Sequence, residues 1–180
     1  MTSITGFLRR SLRLIGQVEM ALAAIILCAI VLMILMQVLL NAGLGNPITW
    51  EQEAGAYALV WLTFLGASIG LKQMRHVTIS SFIGRLPLRL RYLVRAFVFV
   101  AIIWTLLVIL RELPPIMRIE GRSDTVALPI SLPRSYFFSL PLMLASGLMV
   151  LTSVLYLLEA LIGALRGGDE TPASIRPVME

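Results

Sequence analysis

Few residues in this chain could do chemistry, and each one meets a missing partner. Gly66-Ala67-Ser68-Ile69-Gly70 matches G-x-S-x-G, the pattern that exposes a serine nucleophile at a strained strand-to-helix turn. Here it lies within a continuous apolar run, and activation needs a base. The single histidine, His76, stands in the polar stretch beyond it. A bis-histidine haem fails on the same count. The one cysteine, Cys28, sits in another apolar run, which excludes an intrachain disulfide, a thiol relay and a cysteine zinc cluster, so it reads as a small packing residue. Gln37 and Asn41 are four apart and share a helical face, where they can bond to a neighbouring helix. No Asp, Glu, Lys, Arg or His lies near the middle of any long apolar run, so the chain alone lacks the groups of a proton relay or ion path. The expectation is no catalytic, substrate-binding or metal site, no cofactor and no enzyme.

The elements that hold these residues follow from the apolar runs. Hydrophobic residues make up 58% of the 180 positions and charged ones only 14%, too few to clothe a soluble core. Four runs, about 18–40, 54–71, 93–110 and 136–160, approach the ~20 residues that cross a ~30 Å hydrocarbon layer as a helix. Backbone groups cannot stay unpaired in lipid, and the runs do not alternate as barrel strands do. The sequence therefore predicts an all-α integral membrane protein with one four-helix domain over 1–165. The polar tail 166–180, beyond Gly167-Gly168, is expected to be disordered. Arg9, Arg10 and Arg13 before the first run resemble a signal peptide, but that run is too long and no A-x-A site follows, so it is read as a retained span.

Charge sets the expected orientation. Eleven Lys and Arg residues fall on the side of the two termini and of the loop joining spans two and three, against four (Arg111, Arg118, Arg122, Arg134) on the other side. The positive-inside rule places both termini in the cytoplasm of a bacterial inner membrane. The basic excess flanks apolar runs, so membrane lipids, and not nucleic acid, are its expected partner. Arg85, Arg89, Arg91 and Arg95 are the candidate lipid anchors. Arg13 and Arg166 are placed to pair with Glu19 and Glu159, with plain interfacial solvation as the alternative. Ile79, Phe82, Ile83 and Leu86 recur at helical spacing before Pro87, which suggests a short amphipathic helix in the inner interface. Between spans three and four, Pro114-Pro115, Gly121, Pro129 and Pro133 exclude a single helix across 111–135.

Two clusters could meet a partner. Gly66 and Gly70 form a small-xxx-small pair that lets another helix approach, and Ser68 can bond across it or back to its own backbone. At the start of span two, Thr49 and Gln52 have capping-box spacing and Glu51 and Glu53 suit a helix N-terminus. Trp50, Tyr57 and Trp61 then follow at spacings of seven and four. This reads equally as a capped, anchored helix or as a docking face. The partner-interface candidates are thus Trp50, Glu53, Tyr57, Trp61, Gly66, Ser68, Gly70, His76, Gln37 and Asn41.

The order Thr49-Trp50-Glu51-Gln52-Glu53, Tyr57, Trp61, Phe64-Leu65-Gly66-Ala67, His76 and Pro87, followed by Ala127-Leu128-Pro129, Tyr136 and Pro141, resembles the small permease subunit (DctQ type) of tripartite ATP-independent periplasmic (TRAP) transporters. The resemblance spans nearly the whole chain. Two positions depart from it: Ala56 stands where the family usually has Arg, and Ser80 where it has an acid. The resemblance implies a non-catalytic subunit that scaffolds a large Na⁺- and solute-carrying permease subunit in a symporter. It also implies a periplasmic solute-binding protein that docks on the assembly, and a carboxylate as solute. The competing expectation is a self-sufficient small transporter acting as a homo-oligomer.

Overall fold

The computed structural model describes residues 2–44, 50–73 and 88–165. It contains four long helices: α1 (Thr2–Leu44), α2 (Glu51–Lys72), α3 (Leu88–Glu120) and α4 (Ser139–Leu165). Segments of all four are long and apolar enough to cross a membrane: Leu8–Ala42, Glu51–Lys72, Leu93–Glu120 and Arg134–Ile162. The described residues contain one isolated β-bridge, Asp124 to Pro133, and no strand. The predicted four-helix membrane fold is therefore present. His76, Arg85, Thr49, the expected amphipathic segment 77–86 and the tail lie outside the described residues.

The helices outrun the apolar runs that announced them. α1 begins at Thr2 and reaches Leu44, because a helix does not have to stop where lipid ends. α3 carries on from 110 to Glu120 through Pro114 and Pro115. Each proline removes an N–H, so the carbonyls of Leu110 and Arg111 lose their usual i+4 donors. The run of prolines marks the end of the apolar stretch without ending the helix.

The chain divides into two compact units. The first takes residues 1–17, 68–111 and 146–180. Its core is Leu12 of α1, Phe99 of α3, and Leu155, Tyr156 and Ala160 of α4. Phe99 and Tyr156 meet in a tilted ring contact at 5.3 Å between centroids. Tyr156 is fully buried, and its hydroxyl donates to the Lys72 carbonyl at 2.8 Å, taking up one of the carbonyls that the end of α2 leaves open. Arg9 grips Glu159 side-on with two parallel hydrogen bonds from one guanidinium edge, Nε donating to Oε1 at 2.7 Å and Nη2 to Oε2 at 2.9 Å. The side chains are 23% and 12% exposed, so the pair lies between a surface bridge and a buried one. Arg9→Ala is expected to lower stability by about 2 kcal/mol, intermediate between those two regimes. A double-mutant cycle with Glu159→Ala, followed by thermal unfolding in detergent, should return most of that as coupling.

The second unit takes residues 18–67 and 112–145. Here Met33 of α1 approaches Gly55 of α2, with its methyl 3.7 Å from where a Cβ would stand. The loop between α3 and α4 belongs wholly to this unit.

Candidate functional site

The loop 121–138 is built from its own hydrogen bonds before anything else touches it. Gly121 N–H closes the end of α3 on the Met117 carbonyl at 2.9 Å. A Cβ on Gly121 would stand 3.0 Å from that same oxygen, so glycine suits the turn. Thr125 then acts as a clasp. Its N–H donates to the Leu132 carbonyl at 3.0 Å, its hydroxyl donates to the Ile130 carbonyl at 2.9 Å, and that hydroxyl accepts from the Leu132 N–H at 3.2 Å. Arg134 N–H to the Ser123 carbonyl at 2.9 Å closes the neck. Ser139, at the start of α4, donates its hydroxyl to the Glu120 carboxylate at the end of α3.

This clasp leaves three successive N–H groups, on Val126, Ala127 and Leu128, turned the same way. All three donate to one carboxylate, Glu53, at 3.1, 2.5 and 3.1 Å. A fourth donor, the Tyr57 hydroxyl one turn further along α2, reaches Glu53 at 2.5 Å. A carboxylate accepts and cannot donate, so a concave row of amides suits it. Tyr57 is buried, stacked on Phe137 at 4.3 Å and edge-on to Phe138 at 5.4 Å. The start of α2 thus holds the loop through polar contacts at its tip and aromatic contacts at its base. The tip itself turns apolar side chains outward, with Val126 80% and Ile130 65% exposed.

The other candidates are dispersed. Trp50 is exposed, and its carbonyl accepts the Ala54 N–H that begins α2. Trp61 and Gln37 are half-buried, and Asn41 is exposed. Gly66 is exposed, and among the described residues nothing outside its own helix backbone comes within 4 Å of where a Cβ would be; Gly70 is half-buried. Arg89 and Arg91 lie in the first turn of α3, and Arg95, one turn on, is half-buried.

Ser68 faces inward at 1% exposure, and its Oγ accepts from Lys72 Nζ at 2.9 Å. Sequence reasoning passes over Lys72 as the missing base, although its spacing of four from Ser68 on one helix is a signal that finds it. Both groups are buried, however, which leaves no accessible Oγ for an acyl substrate. Serine hydroxyls must be reachable to attack, so this pair is a packing contact. Among the described residues there is also no cluster of three or more His, Cys, Asp or Glu able to hold a metal ion.

Two comparisons place this architecture. Residues 30–163 match the family described as tripartite ATP-independent periplasmic transporters, DctQ component. A Haemophilus influenzae protein named as a putative TRAP transporter small permease protein is 26% identical over 87 residues, covering 48% of this chain and 50% of that protein. The match to the relative therefore spans about half of either chain, while the family match runs from the middle of α1 nearly to the end of α4. The chain belongs to the DctQ component family of the tripartite ATP-independent periplasmic transporters.

Proposed function

We propose that this chain is a non-catalytic scaffold for a large Na⁺- and solute-carrying membrane subunit, and that its 121–138 loop helps a periplasmic solute-binding protein dock during carboxylate uptake. The observation that carries this reading is the contrast between the spans and the loop. The spans have no ionisable group near their middle, so they offer packing surface and no pathway. The most apolar stretch of α1 is not buried among the described residues, as suits a face that meets lipid or another subunit. The loop, by contrast, is a locally ordered element with an apolar tip. The excess of basic residues on the side of the termini supports an inner-membrane orientation with both ends cytoplasmic and this loop periplasmic.

Reconstitution decides between the scaffold and a self-sufficient carrier. Solute uptake in liposomes should require this chain, a large permease subunit and a binding protein together. Uptake by this chain alone would falsify the scaffold reading. The open face at Gly66 supplies a finer test. Gly66→Leu adds bulk where none of the described residues stands, and it is expected to reduce co-purification with the large subunit by about fivefold or more, as close helix packing demands. Unchanged recovery would remove Gly66 from the contact.

A further inference from the structure

The tip of the 121–138 loop is chemically unlike the neck that carries it. From Thr125 to Pro133 there is no charged residue, while Asp124 and Arg134 stand immediately on either side. The backbone donors of this stretch are mostly taken. Pro129 and Pro133 have no N–H, and five of the other seven residues donate within the protein. Thr125 donates to the Leu132 carbonyl, Leu132 to the Thr125 hydroxyl, and Val126, Ala127 and Leu128 to Glu53. Water would satisfy such donors unaided, whereas a segment that enters lipid has to settle them internally. Yet Val126, Ile130 and Leu132 expose apolar side chains.

The tip also lies at membrane depth. α2 has 22 residues, which is about 33 Å of helix against a ~30 Å hydrocarbon layer. It crosses only if its first turns already lie at the membrane boundary. Glu53 fixes the tip to the first of those turns, and Leu128 and Ile130 share a hollow with Ala54, Ala58 and Trp61 of α2. The tip therefore packs beside the start of a span and does not stand beyond it. Trp50 before α2 and Tyr136 after the neck are exposed, as aromatic side chains are at headgroup level. A face kept for a soluble partner is wet whenever that partner is away, which costs free energy for each apolar side chain. Lipid is always present at this depth, and the headgroup boundary holds water for the remaining backbone groups. We infer that the tip is a lipid anchor: Val126, Ile130 and Leu132 dip between the headgroups and acyl chains of the leaflet at the start of α2. The neck, where Arg122, Ser123 and Asp124 are exposed, is the part left to water and to a docking protein.

Nitroxide depth measurement tests the anchor. The full chain with Cys28→Ala receives one new cysteine, Val126→Cys, Ile130→Cys or Ser123→Cys. Each is spin-labelled and reconstituted in liposomes of phosphatidylethanolamine and phosphatidylglycerol. Collisions with oxygen, which concentrates among acyl chains, are compared with collisions with a water-soluble nickel chelate present on both sides. Labels at 126 and 130 should read about 5–10 Å below the phosphates, and the label at 123 at or above them. Two tip sites keep one misfolded variant from deciding the result. The depths at 126 and 130 should hold when a large permease subunit and a solute-binding protein are bound. Nickel access at 126 and 130 equal to that at 123 would place the tip in water and overturn the anchor. Loss of both kinds of collision at the tip, in the chain alone or in the assembly, would place it against protein and overturn the anchor as well. Uptake in the three-component system reads the docking role separately, so either reading can fail without the other.

Discussion

Glu53→Ala is expected to free the tip of the 121–138 loop while leaving the four helices intact. Three neighbouring amides and the Tyr57 hydroxyl converge on this one side chain, and alanine removes the acceptor from all four at once. The amides at 126–128 then have only water to bond. Hydrogen exchange at those three positions should accelerate by about tenfold or more, with exchange in α1 and α4 unchanged, because local opening is governed by local bonds. Glu53→Gln separates charge from shape. It keeps one acceptor oxygen but presents an NH₂ to the amide row, so it should give most of the acceleration. If the loop docks a binding protein, uptake in the three-component system should fall in parallel while co-purification with the large subunit stays level. Exchange at 126–128 that matched the unaltered protein in both variants would show that Thr125 and the aromatic base hold the tip unaided.

Tyr156→Ala should give the largest loss of stability of any single change in the first unit. The ring is fully buried between Leu12, Phe99 and its neighbours on α4. Lipid is as apolar as the core, so the loss comes from packing and the cavity more than from exposure to water. About 3 kcal/mol is expected, at the lower edge of aromatic truncations. Tyr156→Phe keeps the ring and deletes the donor to the Lys72 carbonyl, for about 1 kcal/mol. Thermal unfolding in detergent distinguishes the two, and equal losses would mean that the hydroxyl, not the ring, is what matters.

The four spans are legible because lipid leaves a chain so few solutions. Long apolar runs must be helices, and their number follows by counting. Glu53 is also visible, as an acid at a helix start, but its role is not. Its partners lie 73 to 75 residues away and are backbone amides, which look alike in every sequence. Thr125 is silent for the same reason, since a clasp made of hydroxyl and backbone leaves no pattern. The ion pair shows a different limit. Glu159 invites a partner from the termini, and Arg13 and Arg166 are the expected bases for the two acids, yet Arg9 holds it. Proximity to the membrane edge singles out several arginines, and only the face of α1 that turns toward α4 chooses among them. The proline pair misleads most simply, since Pro114-Pro115 reads as part of the loop and lies inside α3.

The amide row at 126–128 has a consequence for how such a loop can change over time. Glu53 addresses positions through a group that every residue except proline carries. Val126, Ala127 and Leu128 are therefore interchangeable with most other residues as far as the latch is concerned. Proline alone is barred from those three sites and admitted at the next one, where Pro129 already stands. The tip can drift in shape and polarity from one lineage to another without losing its seat; if it is a docking surface, a subunit of this design can be refitted to a new partner by substitutions that leave its fold untouched.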